Sequence, residues 1–274
     1  MIRRILALAA GEFRIALRNR WVAIAAALMV LFSLVLAAAG AAPTGDIGVD
    51  RLSVTVASLT SLAVYLVPLL ALLISFDAVA GEVERGTLPL LLTYPVSRLH
   101  ILLGKLGAHL AILALAVVLG YGAAALAAIW TDPRAVAGLP AMVRLGWSSI
   151  LLGATFLGAG YALSALAKRP SGAAGLAIGL WLGLVVLYDL GLLALIVADG
   201  GGAFTTGILP ATLLANPADA FRLFNLAASD AAGAASGMGA AAASIALWKS
   251  TVSVLVWPLA ALALAWAAFR RVTP

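Results

Sequence analysis

Residues 81–105 read GEVERGTLPLLLTYPVSRLHILLGK, a dense run of charge set between two long apolar stretches. Glu82, Glu84 and Arg85 follow the mostly apolar residues 59–80, and Arg98, His100 and Lys105 open the next apolar run. A segment of this kind lies at a membrane surface, because charge inside the bilayer is costly. Its internal breaks define a shape. Gly86 interrupts the helix arriving from the membrane, Thr87 is placed to N-cap a short helix that tolerates Pro89 in its first turn, and Pro95 stops it. Ser97 is placed to cap the span that follows. The spacing predicts a short helix over residues 88–93, carrying apolar side chains outside the bilayer with carboxylates beside them. In a docking role, Leu88, Leu90 and Leu91 fill a groove on a partner while Glu82, Glu84 and Arg85 pair at its rim. Gly86, Thr87, Tyr94, Pro95 and Arg98 shape the rest of the segment. An ordinary solvated loop is the plainer alternative, but so apolar a helix outside lipid asks for a cover.

Composition places the whole chain in lipid. Apolar residues make up 64% of the 274 and charged residues 10%, against about 25% charged in a soluble domain. The mean hydropathy is +1.13. Cysteine is absent, which excludes disulfides, thiolate metal sites and cysteine nucleophiles. A net charge of +6 is modest and gives no reason to expect nucleic acid.

An amphipathic basic helix is predicted over residues 1–20, with Ile2, Ile5, Leu6, Ala9, Phe13, Ala16 and Leu17 on one face and Arg3, Arg4, Arg14 and Arg18 on the other. Such a helix lies in the headgroup plane. A secretory signal is the lesser reading, since Glu12 and Arg14 interrupt the apolar run and no small-residue cleavage site follows. Spans are predicted at 21–42, 59–80, 99–130, 145–167, 172–198 and 247–269, with loops at 43–58 and 131–140 and a tight turn at Lys168-Arg169-Pro170. The chain is therefore expected to be one all-α polytopic membrane domain with six transmembrane helices and an interfacial N-terminal helix. Of the 17 lysines and arginines, 12 fall in the N-terminal helix, the 81–105 segment, the 168–169 turn and the tail. By the positive-inside rule these share the cytoplasmic side of a bacterial inner membrane, both termini included, and residues 199–246 face the periplasm.

The same residues carry a resemblance. GEVERGTLPLLLTYPVSRLHILLGK resembles the glutamate-rich turn, short helix and Gly-Lys opening of ABC-2 transporter permeases, with six spans and an interfacial helix. LYDLGLLALIVA, NPADAFRLFNLAA and the later SGMGA are more specifically similar to the NosY family of permeases in nitrous oxide reductase maturation. The resemblance implies an ABC-2 (type V exporter-like) fold acting as a homodimer. It also implies a NosF-like cytoplasmic ABC ATPase that grips residues 81–98 and a NosD-like periplasmic copper-handling protein. ATP and Mg would be bound by the ATPase, and no cofactor is expected in this chain.

Three further features stand out. Gly172, Gly175, Gly179 and Gly183 leave one edge of the fifth span nearly free of side chains, which suits close packing within the chain or contact with a second copy. Asp189 lies within that span, about 14 Å from its outer end by helical rise. An intramembrane carboxylate needs a partner, and a tryptophan, a tyrosine or Arg144 could serve; a gate or polar lining is the functional alternative. Beyond this span, Asn216 and Pro217 mark the start of a short helix with Asp219 near its positive end. Phe221 and Phe224 lie three apart on one side, Arg222 and Asn225 three apart on another. Lying on the membrane is one role for this helix; contact with the periplasmic partner, through Asn216, Asp219, Phe221, Arg222, Phe224 and Asn225, is the other. Residues 231–244 are expected to be a loosely ordered connection.

Function classes narrow accordingly. No G-x-x-x-x-G-K-[ST] loop is present, so an ATP-driven process needs another subunit. Copper would want soft ligands, yet Met29, Met142 and Met238 are scattered, and His100 and His109 face opposite sides of one helix. No metal site is expected, and the chain reads as a mechanical link. Export of a lipidic, drug-like or sulfur-containing solute is the alternative. An intramembrane enzyme or secondary transporter would need paired carboxylates at membrane depth, which the spacing does not supply.

Overall fold

The computed structural model describes residues 2–18, 20–39, 51–93, 96–167, 169–226 and 245–273, and among these it contains helices and no strand. Tyr94, Pro95, Lys168, residues 43–50 of the 43–58 loop, SGMGA and the 231–244 connection lie outside the described residues. Helix α1 covers Ile2–Leu17, α2 Arg20–Ala39 and α3 Arg51–Ser75. Two short helices follow, α4 at Ala80–Glu84 and α5 at Thr87–Thr93, before the long α6 at Arg98–Thr131. A 3₁₀ turn, Pro133–Gly138, leads into α7 at Leu139–Leu166. The fifth span is α8, Pro170–Trp181, a π-helical turn, Leu182–Leu187, and α9, Tyr188–Asp199. After a second π turn at Phe204–Ile208 come α10, Leu209–Ala215, and α11, Pro217–Leu226; α12, Leu247–Phe269, closes the bundle.

Five helical runs among the described residues are long and apolar enough to cross a membrane: Leu52–Glu84, Arg98–Thr131, Pro133–Leu166, Pro170–Asp199 and Leu247–Phe269. Helix α2 is the remaining expected span. The structure adjusts several boundaries. Helix α3 begins at Arg51, inside the expected loop, and α7 begins at Leu139, inside the expected 131–140 loop, because each extra turn finds apolar neighbours. Leu52, Val56 and Met142 are all buried there.

Helix α7 sits at the centre, packed on α3, α6 and α12, while α2 lies against α3 and α6 and α1 against α6. Small residues set the closest approach: a Cβ added at Gly158 would stand 2.9 Å from the Ala261 carbonyl carbon and Cβ. With lipid outside, tight van der Waals contact of this kind is what holds helices together. The glycine edge of the fifth span behaves otherwise. A Cβ at Gly172, Gly175, Gly179 or Gly183 would meet no atom within 4 Å. The expectation of close packing there within the chain is corrected, since α8 and α9 lie at the rim of the bundle.

Helix α11 gives the largest departure. It was expected on the periplasmic surface, but it folds back against α3, α7 and α12, and its Phe221, Leu223 and Phe224 are buried. Its apolar stripe is wide enough to be covered by the bundle rather than by lipid or a partner.

Candidate functional site

One end of the bundle gathers segments far apart in sequence. Ser97 caps α6 by accepting from the His100 backbone N–H, as its spacing predicts. Arg98 reaches across to the end of α12, where its guanidinium donates to the Val272 carbonyl at 2.6 Å and, more weakly, to those of Phe269 and Arg270. These are C-terminal carbonyls left without intrahelical donors, which a cation satisfies well. Two N–H groups entering α4, of Val79 and Ala80, are at 3.0 Å from the Ser164 hydroxyl of α7, which accepts both. The cap of α4 thus comes from another helix.

Lys105 is the hub of this end. Its ammonium, with the side chain 7% exposed, lies 2.6 Å from Glu12 of α1 and 2.6 Å from Glu82 of α4. One buried cation therefore ties three helices together. One turn further along α6, His109 is buried and hydrogen-bonds the Tyr161 hydroxyl of α7 at 2.9 Å. Glu12 and Lys105 were not among the predicted site residues. Their signal was available: a lysine seven residues into an apolar helix needs an acid, and Glu12 is the acid that interrupts the apolar run of α1.

The docking segment is divided by this architecture. Leu88 is buried with Val79, Ile101, Leu102, Tyr161, Ala265 and Phe269, and Glu82 is engaged by Lys105. Leu88 is closed off from a partner, so its expected groove-filling role is corrected to anchoring the segment in its own bundle; Glu82 is held by Lys105 and keeps only a narrow exposure at the edge of the cleft beside α5. Arg98 likewise serves α12. What remains outward is Glu84, Gly86, Thr87 and Leu90, the last 64% exposed, with Leu91 half-buried. Arg85 is exposed and pairs with Asp77 at 3.1 Å. Gly86 takes φ +67°, the left-handed turn between α4 and α5 that favours glycine. Thr87 is the first residue of α5 and donates its hydroxyl to the Glu82 carbonyl. Beside α5 opens a cleft of about 1070 Å³, between α1 and the end of α3, lined by Ile15, Arg18, Phe76, Asp77, Leu90 and Lys105 among others.

A second polar cluster lies toward the other end. The Asn216 side chain caps α11, accepting from Ala218 N–H at 2.8 Å, and its amide donates to the Leu184 carbonyl at 2.6 Å. That carbonyl belongs to the π turn, whose wider winding leaves backbone groups in need of outside donors. The cation set against Asp189 is Arg222, at 3.0 Å, and Arg222 also binds Asp219 at 2.9 Å. Asn225 hydrogen-bonds the Ser148 hydroxyl of α7 at 3.0 Å, and Phe224 meets Trp147 edge-on. Arg144 stands half-buried one turn before Ser148. All six residues expected to touch a periplasmic partner are thus turned into the bundle. Asn216, Asp219, Phe221, Phe224 and Asn225 are at most 5% exposed, so their direct contact with an outside protein is corrected to a role inside the chain. Among the described residues no cluster of three or more histidines or carboxylates is arranged to hold a metal.

Comparison with known proteins agrees with this architecture. Residues 6–273 match the family described as ABC-2 family transporter protein. The chain is 47% identical over 271 residues to the "Probable ABC transporter permease protein NosY" of Pseudomonas aeruginosa, covering 96% of this chain and 97% of that protein. It is 43% identical, with the same coverage, to the protein of that name from Stutzerimonas stutzeri. With its apolar helices, the charged hairpin at one end and these matches along nearly its full length, the chain belongs to the ABC-2 family of transporter proteins, as a NosY-like permease subunit.

Proposed function

We propose that this permease converts ATP hydrolysis by a separate cytoplasmic subunit into movement of a periplasmic copper-handling partner during nitrous oxide reductase maturation. The observation that carries the reading is the α4–α5 hairpin, whose inner side is riveted to the bundle by Lys105 and Leu88 while its outer side presents Leu90 beside Glu84. A rigid base with an exposed apolar tip transmits force; a floppy loop would absorb it. The full-length likeness to NosY proteins supports the choice of partners. Two copies with six spans each, α2 included, form the working unit, with the hairpin and both termini in the cytoplasm. The charge distribution supports this orientation, and the open glycine edge of α8 offers one place for the second copy.

A second reading, export of an amphiphilic solute, draws on the cleft beside α5, whose lining mixes Ile15 and Phe76 with Arg18, Asp77 and Lys105. Purification of the complex from membranes distinguishes them. Recovery of an ATPase together with a periplasmic protein is expected. An ATPase alone, with turnover stimulated by an added solute, would replace the maturation reading with export.

A further inference from the structure

Two carboxylates, Asp189 of α9 and Asp219 of α11, share the one guanidinium of Arg222. The two terminal nitrogens of Arg222 bind Asp189 at 3.0 Å and Asp219 at 2.9 Å, so the acids flank it side by side. With both ionised the cluster would carry one uncompensated negative charge. Asp189 lies ten residues before the end of its helix, about 15 Å inside by helical rise, and the Asp219 side chain is 1% exposed. A lone charge in such a place is strongly disfavoured. The acids are also unequal: Asp189 keeps a 28% exposed side chain, whereas Asp219 has one buried oxygen, Oδ2, with no hydrogen-bond partner.

We propose that this cluster is a proton-binding site, in which Asp219 carries the proton on Oδ2 and Asp189 pairs as a carboxylate with Arg222. Two carboxylates held in one site do not both ionise, and the more buried one keeps the proton. Asp219 stands in the first turn of α11, where the helix dipole favours an anion, but that effect is smaller than the penalty of a second buried charge. Among the described side chains no second cation pairs with either acid. Tyr188 of α9 and Tyr65 of α3 bring hydroxyls, α10 has no charged residue, Arg144 of α7 and Lys249 of α12 form no ion pair with Asp189 or Asp219, and the side chain of Arg51 on α3 lies outside the described residues. A bound metal cation fits less well than a proton, since the guanidinium would repel it. Movement of α11 away from α9 would leave Arg222 with one acid and expose the other to water, releasing one proton.

Infrared spectra of the full-length chain in nanodiscs at neutral pH test this. A carboxylic-acid C=O stretch that shifts in D2O is expected, lost in Asp219→Asn. It should also be lost in Asp189→Asn, although Asp219 is still present, because a single acid facing Arg222 no longer needs the proton. Thermal unfolding confirms that both variants are folded. The assignment is overturned if wild type lacks the band, if the band survives in either variant, or if wild type shows no band but is stabilised by added sodium or potassium.

Discussion

Lys105 and Leu88 show how single side chains fix the hairpin end of the bundle. Removing the ammonium leaves the Glu12 and Glu82 carboxylates facing each other with their shared cation gone, and breaking a buried pair in this way costs about 3–5 kcal/mol. Lys105→Ala should therefore lower the thermal midpoint sharply in detergent, with most of the loss recovered when Glu12→Gln and Glu82→Gln are added. Failure of that rescue would mean the lysine acts through something other than its two acids. Leu88→Ala should cost about 2–5 kcal/mol as a core truncation, in contrast to Leu90→Ala, which should leave the unfolding midpoint unchanged. At Gly158 the α7 and α12 backbones leave no room for a side chain, so Gly158→Val should destabilise by roughly 1–3 kcal/mol through overpacking.

At the level of elements, the α4–α5 hairpin has an inner face held by the bundle and an outer face proposed for docking. Leu90→Asp combined with Glu84→Lys alters only the outward face, and should weaken ATPase binding at least tenfold, about 1.4 kcal/mol, while the unfolding midpoint holds. Binding at wild-type affinity in a pull-down would remove the hairpin from the interface. Much of this element was legible beforehand: Gly86 and the apolar run 88–93 located α5 to within a residue, because local breakers act through local geometry. Which leucine faces inward was not legible, since that depends on Tyr161 and Phe269, distant in sequence. Helix α11 makes the same point. Its cap at Asn216 and Pro217 is a local signal and held, but its burial rests on contacts with α3, α7 and α12. Arg222 finds Asp189 33 residues away, beyond the reach of any helical spacing.

For the whole molecule, the distribution of arginine and lysine was the most informative feature, and the structure gathers the segments richest in them. Glu12, Glu82 and Lys105 meet, Arg98 meets the end of α12, and Ser164 meets the start of α4. Which side of the membrane this end faces can be measured directly, because the chain has no cysteine to remove. An impermeant thiol reagent added outside intact cells should label Arg134→Cys, at the far end of α6, and spare Glu84→Cys. The opposite pattern would invert the protein and remove the ATPase from the docking face. The bond from Arg98 to Val272 has a practical corollary for anyone handling the protein. It pins the tail beside α5, so a bulky fusion attached there would emerge next to the surface proposed for the motor subunit, and on that reading would compete with it for space.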